Sequence, residues 1–267
     1  RHHIPVLSAP VEHPEAEVMI YPYLLGVLLG DGYLAPKSSP SITSDYEILA
    51  HWSGRLEAHD SPNISSLHLT NQPPLLGALI QYQLRGKRSW EKFIPSEYLV
   101  GSIPQRLALL QGLLDTDGSW CRSNGILEFS STSENLADGV VALTQSLGGI
   151  ARKAGPRKCK QQNGIGRDSW RINVKLPKGI EPFRISRKLN AWVPPSKYPP
   201  ARLIDSIAFE RREAATCIAV DALDHLYVTK DYIITHNTIS ALTVMQQRMD
   251  ALQVYGTLIL APLRVCQ

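Results

Sequence analysis

The sequence is poor in the residues that most readily narrow a function. Its four cysteines, Cys121, Cys159, Cys217 and Cys266, are scattered through 267 residues with no CxxC pair and no clustered histidines. That spacing argues against a zinc ribbon or a disulfide framework, and a reducing compartment is the easier fit. No apolar stretch reaches the roughly 18 residues of a membrane-spanning helix, and no basic stretch leads into an apolar one at the start. Neither secretion nor membrane insertion is expected, and a cytoplasmic setting is. The chain opens on Arg1 and reads as cut from something longer. A net charge of +4 argues neither for nor against a polyanionic partner.

What is present is a 43% hydrophobic content, enough for one large domain or two smaller ones. Charge is concentrated rather than abundant: residues 152–188 hold twelve Lys or Arg against Asp168 and Glu181. A solvated rim and a binding face are both consistent with that segment.

Two stretches resemble one another. "LLGVLLGDGYLA" (24–35) and "LLQGLLDTDGSW" (109–120) are apolar runs ending in an acid beside glycine, with Asp31 and Asp117 86 positions apart. The first predicts a helix over 22–30 with Pro22 in its first turn. The second predicts a helix entered through a Ser102–Gln105 capping box with Pro104 in the first turn. After the first come two short strands in "GYLAPKSSPSITSD", a helix over "YEILAHWSGRLEAH", a strand at "SSLHLT" and a helix in "PPLLGALIQYQLRG". After the second come "ILEFSSTS", a helix in "ENLADGVVALTQSLGG" and a strand in "SWRINVKL". The pattern is an internal repeat, about 22–92 and 102–180.

Gly26 and Gly30 share one face of the first helix, as Gly112 and Thr116 share one of the second. Small residues at that spacing let two backbones approach, which would bring both acid tips together. Two carboxylates at the negative ends of two helix dipoles repel unless a cation intervenes. Mg²⁺ or Mn²⁺, bound by carboxylate and water oxygens, would relieve this and supply the chemistry of a nuclease. On residue chemistry alone, that reading competes evenly with two core helices that merely end in acids.

With those residues in view, "LLGVLLGDG" and "LQGLLDTDG" resemble the two signature motifs of the LAGLIDADG homing endonucleases, which cut long, weakly symmetric double-stranded DNA sites. The resemblance implies that Asp31 and Asp117 hold metal at the scissile phosphates. It also implies that Lys92, in "EKFIP", assists the chemistry. Leu29 stands where the family often has an acid and where the second motif has Asp115. The second basic residue is unassigned, with Lys153 and Lys175 as weak candidates. DNA contacts are expected from the sheets, with Arg152, Arg171 and Lys175 in the second half and Arg85, Lys87 and Arg88 before the second motif.

The C-terminal side resembles a different chemistry. "CIAVDALDHLYVTKDYIITHNT" (217–238) is similar to the C-terminal splicing region of inteins. The resemblance implies that Asn237 cleaves the chain after itself by cyclisation, assisted by His236, with Thr238 as the first residue of the downstream host protein and a nucleophile. Cys217 with Thr235 resembles a minority class in which that cysteine is an internal nucleophile; a buried structural cysteine is the competing reading. The N-terminal splicing half is missing, so the chain as it stands should not splice. "TISALTVMQQRMDAL" and "GTLILAPLRV" resemble the stretch after the phosphate-binding loop of a superfamily 2 or SNF2-like helicase host. No ATP hydrolysis is expected here.

The expected fold class is α+β: a pseudo-two-fold LAGLIDADG core, αββαββα repeated, followed by part of an all-β splicing domain. The expected boundaries are a lead-in at 1–21, the endonuclease at 22–189, the splicing region at 190–237 and a host fragment at 238–267. The expected partners are a long, pseudo-symmetric DNA duplex and the missing splicing and host segments, around a monomeric endonuclease in a microbial or phage-infected cell. Two other readings remain: a splicing element with a decayed nuclease, and a DNA- or RNA-binding module derived from the same fold.

Overall fold

The computed structural model describes residues 3–7, 9–34, 36–53, 58–60, 66–70, 72–122, 125–161, 164–194, 201–209, 220–221, 223 and 226–236. In chain order the elements are β1 (His3–Pro5), α1 (Pro22–Gly30), β2 (Gly32–Tyr33), β3 (Ser41–Thr43), α2 (Tyr46–Ser53), β4 (Ala58–Asp60), β5 (Ser66–Leu69), α3 (Pro73–Gln81) and α4 (Ser96–Leu99). They continue as α5 (Ile103–Asp117), β6 (Gly118–Cys121), β7 (Ile126–Ser131), α6 (Glu134–Ser146), β8 (Ile150–Gln161), β9 (Gly164–Lys175) and α7 (Ser186–Ala191), and then β10 (Ala201–Leu203), β11 (Leu226–Val228) and β12 (Ile234–His236). The architecture mixes helices with antiparallel sheets.

Contacts divide the chain into two units, residues 8–199 and residues 1–7 with 200–267. The smaller unit pairs β1 with β10 and β11 with β12, and a bridge joins Val6 to Ile233. The expected lead-in therefore splits near residue 7. Beyond that point it is stitched to the larger unit: the Gln105 side chain both accepts from Ala16 N–H and donates to its carbonyl, at 2.9 and 2.8 Å. The buried Arg106 guanidinium donates to the carbonyls of Gly101, Ser146 and Val11.

In the larger unit, α1–β2–β3–α2–β4–β5–α3 and α5–β6–β7–α6–β8–β9–α7 follow the same order. Their sheets also share a strand order, β2-β3-β5-β4 and β6-β7-β9-β8. Pro22 through Leu29 of α1 are all buried, as expected of a helix that is apolar all round rather than along one stripe. The core joins the leucines of α1 and α5 to Ile42, Leu67 and Leu69 of one sheet and Phe129 and Ile172 of the other.

One expectation is corrected. The helix predicted across 46–59 ends at Ser53, and β4 occupies Ala58–Asp60. The basic stretch after Ile150, with which a rim and a binding face are both consistent, is strand: β8 and β9 form a long hairpin of two twelve-residue strands. No described helix is long and apolar enough to cross a membrane.

Candidate active site and DNA-facing surface

Glycine sets the approach of the two acid-tipped helices. A Cβ on Gly26 would lie 2.4 Å from the Leu109 carbonyl oxygen, and one on Gly112 would lie 2.3 Å from that of Tyr23. One turn further along, a Cβ on Gly30 would strike the Thr116 hydroxyl. These contacts lead α1 and α5 to end together, with Asp31 and Asp117 as neighbouring tips.

A helix C-terminus leaves backbone carbonyls without donors and carries partial negative charge. Each of these two ends is closed by one lysine. Lys92 Nζ donates to the carbonyls of Leu28, Gly30 and Gly32 at 3.0, 3.1 and 2.7 Å. Lys188 Nζ donates to those of Leu114, Asp115, Thr116 and Gly118 at 2.9, 2.6, 3.1 and 2.6 Å. Lys188 thus stands at the second acid as Lys92 stands at the first. Sequence reasoning missed it, although "KLNAWVP" after the second copy answers "KFIP" after the first. Of the lysines considered instead, Lys153 is ion-paired with Glu134 and Asp138 of α6. Lys175 sits at the far end of β9, paired with Ile150.

The four charged groups act on one another. Burial raises the pKa of Asp31, opposed by a hydrogen bond from the Ser44 hydroxyl and by the charges of Lys188 and Lys92. Burial, and then repulsion from Asp31, push Asp117 up to about 6. Burial lowers Lys92 to about 8 against the pull of both acids, and burial lowers Lys188 as well. Asp117 still keeps a solvent-open face. Its surroundings withdraw water from the carboxylate without closing over it, which leaves room for an approaching phosphate.

Among the described residues, no group of three or more His, Cys, Asp or Glu gathers as a ready-made metal cage. The carboxylates of Asp31 and Asp117 at neighbouring helix ends are the ones that could hold Mg²⁺, which is commonly bound by one or two carboxylates with water and substrate phosphate completing its shell. Asp115 has another task. Its buried carboxylate accepts from Tyr23 Oη at 2.7 Å and from the backbone N–H of Arg184 at 3.1 Å, so it ties α1 and the approach to α7 onto α5. Its counterpart Leu29 is buried in the core.

The strand register sorts the basic residues. Trp170, Ile172 and Val174 of β9 face the helices, so Arg171 and Lys175 project from the opposite side of the sheet, and Arg152, paired with Asn173, joins them. Arg171 is ion-paired there with Glu128. In the first half, Lys87 and Arg88 line a cleft of about 420 Å³ together with Asp31 and Lys92. Arg85 donates to the Pro36 carbonyl at 3.3 Å. In the smaller unit, Thr235 and the backbone of His236 lie in β12. Cys217, Asn237 and Thr238 lie outside the described residues.

Comparison with known proteins adds three findings. A model of the LAGLIDADG-like domain matches residues 104–174. The replicative DNA helicase DnaB of Mycobacterium intracellulare is 29% identical over 240 residues, which is 88% of this chain and 38% of that protein's length. Among solved structures, the homing endonuclease I-DmoI, studied as mesophilic variants, is 16% identical at a TM-score of 0.40 over 58% of this chain and 84% of that one. I-DmoI in complex with DNA and Mn is 14% identical at a TM-score of 0.38 over 59% and 89%. The second of the two αββαββα runs is thus similar in sequence to a LAGLIDADG-like domain.

Proposed function

We propose that this chain is a Mg²⁺- or Mn²⁺-dependent, site-specific double-stranded DNA endonuclease with a pseudo-two-fold core, carried within an intein that interrupts a helicase. The observation that carries the reading is the paired helix ends: two acids side by side, each helix closed by its own lysine. Nothing about a core helix calls for a second acid tip beside it, and burial makes that arrangement costly. The LAGLIDADG-like match over 104–174 supports the family of the second half. A helicase relative matching most of this chain supports the nature of the host.

In this reading Asp31 and Asp117 hold the divalent ion, which when bound supplies Lewis acidity and an activated water at the scissile phosphate. Lys92 and Lys188 hold positive charge beside the two acids and fix the backbone from which each projects. Ser44 orients Asp31. Arg152, Arg171 and Lys175 meet the duplex from the outer sheet face, and Arg85, Lys87 and Arg88 meet phosphates near the cleft. The duplex is long and pseudo-symmetric, and the protein engages it as a monomer.

For the splicing chemistry we rest on the residues: Asn237 cyclises with help from His236, Thr238 is the downstream nucleophile, and Cys217 with Thr235 carries the branched intermediate. This requires the N-terminal splicing half in a complete precursor.

The deciding experiment offers a plasmid carrying the uninterrupted helicase gene to the protein with Mg²⁺ or with EDTA. Double-strand cutting that needs Mg²⁺ and falls at least about 100-fold in both Asp31→Ala and Asp117→Ala is expected. Binding without cutting would replace this reading with a decayed nuclease or a DNA-binding module. In a restored precursor, Asn237→Ala should block cleavage before Thr238, and Cys217→Ala should block splicing.

A further inference from the structure

α7, which carries Lys188, spans six residues, too few for a helix to hold itself in water. Its N-terminus is gripped from the other half of the molecule. Glu47 Oε1 in the first turn of α2 accepts from the Ser186 N–H at 2.6 Å and from its hydroxyl at 2.7 Å. Asp45 Oδ2 accepts from Arg187 Nε and Nη2 at 3.0 and 2.8 Å, while its Oδ1 caps α2 through the Glu47 N–H. The residue before this pair is Ser44, whose hydroxyl holds Asp31. One stretch of four residues therefore reaches the first acid at one end and the lysine segment of the second acid at the other.

The bracing is reciprocal. The carbonyl of Lys92 accepts from the hydroxyl of Ser133, a second-half residue, at 2.6 Å. The Arg167 guanidinium of β9 lies 3.4 Å from the ring centre of Trp90, two residues before Lys92. Each lysine segment is thus held by the half to which it does not belong.

We propose that Asp45 and Glu47 are positioning residues for Lys188, so that the cut governed by Asp117 depends on the integrity of the opposite half. The strand-cutting consequence rests on the endonuclease reading above. The clamp itself does not.

The test breaks both links with Glu47→Ala/Arg187→Ala, leaving Asp45 to cap α2. Two quantities are measured. Amide hydrogen exchange at Leu189 and Trp192, whose N–H groups bond back to Ile185 and Lys188, reads the clamp without reference to DNA. It should accelerate at least tenfold, and Glu47→Gln alone, which keeps an acceptor for Ser186, should stay near wild type. Cleavage reads the consequence on two substrates: the same supercoiled plasmid, and an end-labelled linear fragment carrying the same site, which resolves the two strands. Nicked circles should accumulate from the plasmid, and the linear fragment should show at least a tenfold slower cut on the strand that Lys188→Met also slows. Unchanged exchange, or equal slowing of both strands together with a lower melting temperature, would overturn the proposal. A wild-type protein that cuts no DNA while the exchange difference persists would sink the endonuclease reading and leave the clamp standing.

Discussion

The two halves of the larger unit build the same helix ends with different surroundings. In the first, the sheet strands are two to four residues long, Ser44 steadies the acid, and the position two before it is the core residue Leu29. In the second, a hairpin of two twelve-residue strands extends the sheet, and the position two before the acid is Asp115, which ties down the segment leading to Lys188. Lys92 follows its acid by 61 positions and Lys188 by 71. The difference teaches that beyond the common strand order, the closest match between the halves lies in the helix pair and the two lysines. The sheets differ in strand length around that shared pair.

The comparison breaks most severely where the halves touch. Gly112→Ala sets a Cβ against the backbone of α1, which has no rotamer with which to yield, so the helices must separate. A loss of about 3 kcal/mol or more is expected, with cleavage of both strands abolished. Chemical denaturation measures it. Gly77→Ala in α3, where nothing lies within 4 Å, is the control and should be neutral or gain up to about 1 kcal/mol.

Next come the lysines. Lys92→Met removes the ammonium from three carbonyls at a residue that is 3% exposed, and Lys188→Met removes it from four at a residue that is half-buried. Each should slow one strand by at least about 100-fold, and Lys92→Met should also cost more stability, about 2 to 4 kcal/mol. If both variants slow the same strand, the assignment of one lysine to each half is wrong.

Making the second half resemble the first gives a smaller effect. Asp115→Leu removes the acceptor of the buried Tyr23 hydroxyl and of the Arg184 N–H, for about 1 to 3 kcal/mol. Cutting should survive at reduced rate, since Asp117 and Lys188 remain. Complete loss with stability intact would mean that Asp115 acts in the chemistry itself.

These contrasts also explain what could be read beforehand. α1 and α5 were legible because apolar runs with Gly26, Gly30, Gly112 and Thr116 at helical spacing have few other uses. β8 was not, because "ARKAGPRKCKQ" is polar, interrupted by Gly155 and Pro156, and bonded on one side only as the edge of its sheet, so it shows no apolar alternation. Lys188 escaped for a related reason: the long hairpin moves it ten positions beyond the spacing that Lys92 suggests. The clamp from Asp45 and Glu47 left no local trace, since its partners lie about 140 positions away.

The smallest expected effect is in the pH dependence of stability, where the two halves pull in separate windows. Asp117 has its pKa raised from 3.8 to about 6, so between those values the folded chain binds more protons than the unfolded one. Stability is then highest below the window and falls as pH rises through it. The solvent-open face of Asp117 makes this slope shallow. Lys92 has its pKa lowered from 10.5 to about 8, so the folded chain binds fewer protons in that interval and stability rises with pH across it. Denaturation midpoints from pH 4 to 10 should show the first slope vanish in Asp117→Asn and the second in Lys92→Met. Mg²⁺ should flatten the first slope in the wild type alone, because an ion held by ionised Asp31 and Asp117 favours the deprotonated pair. A slope indifferent to Mg²⁺ would separate the paired acids from metal binding and remove the chief support for the nuclease.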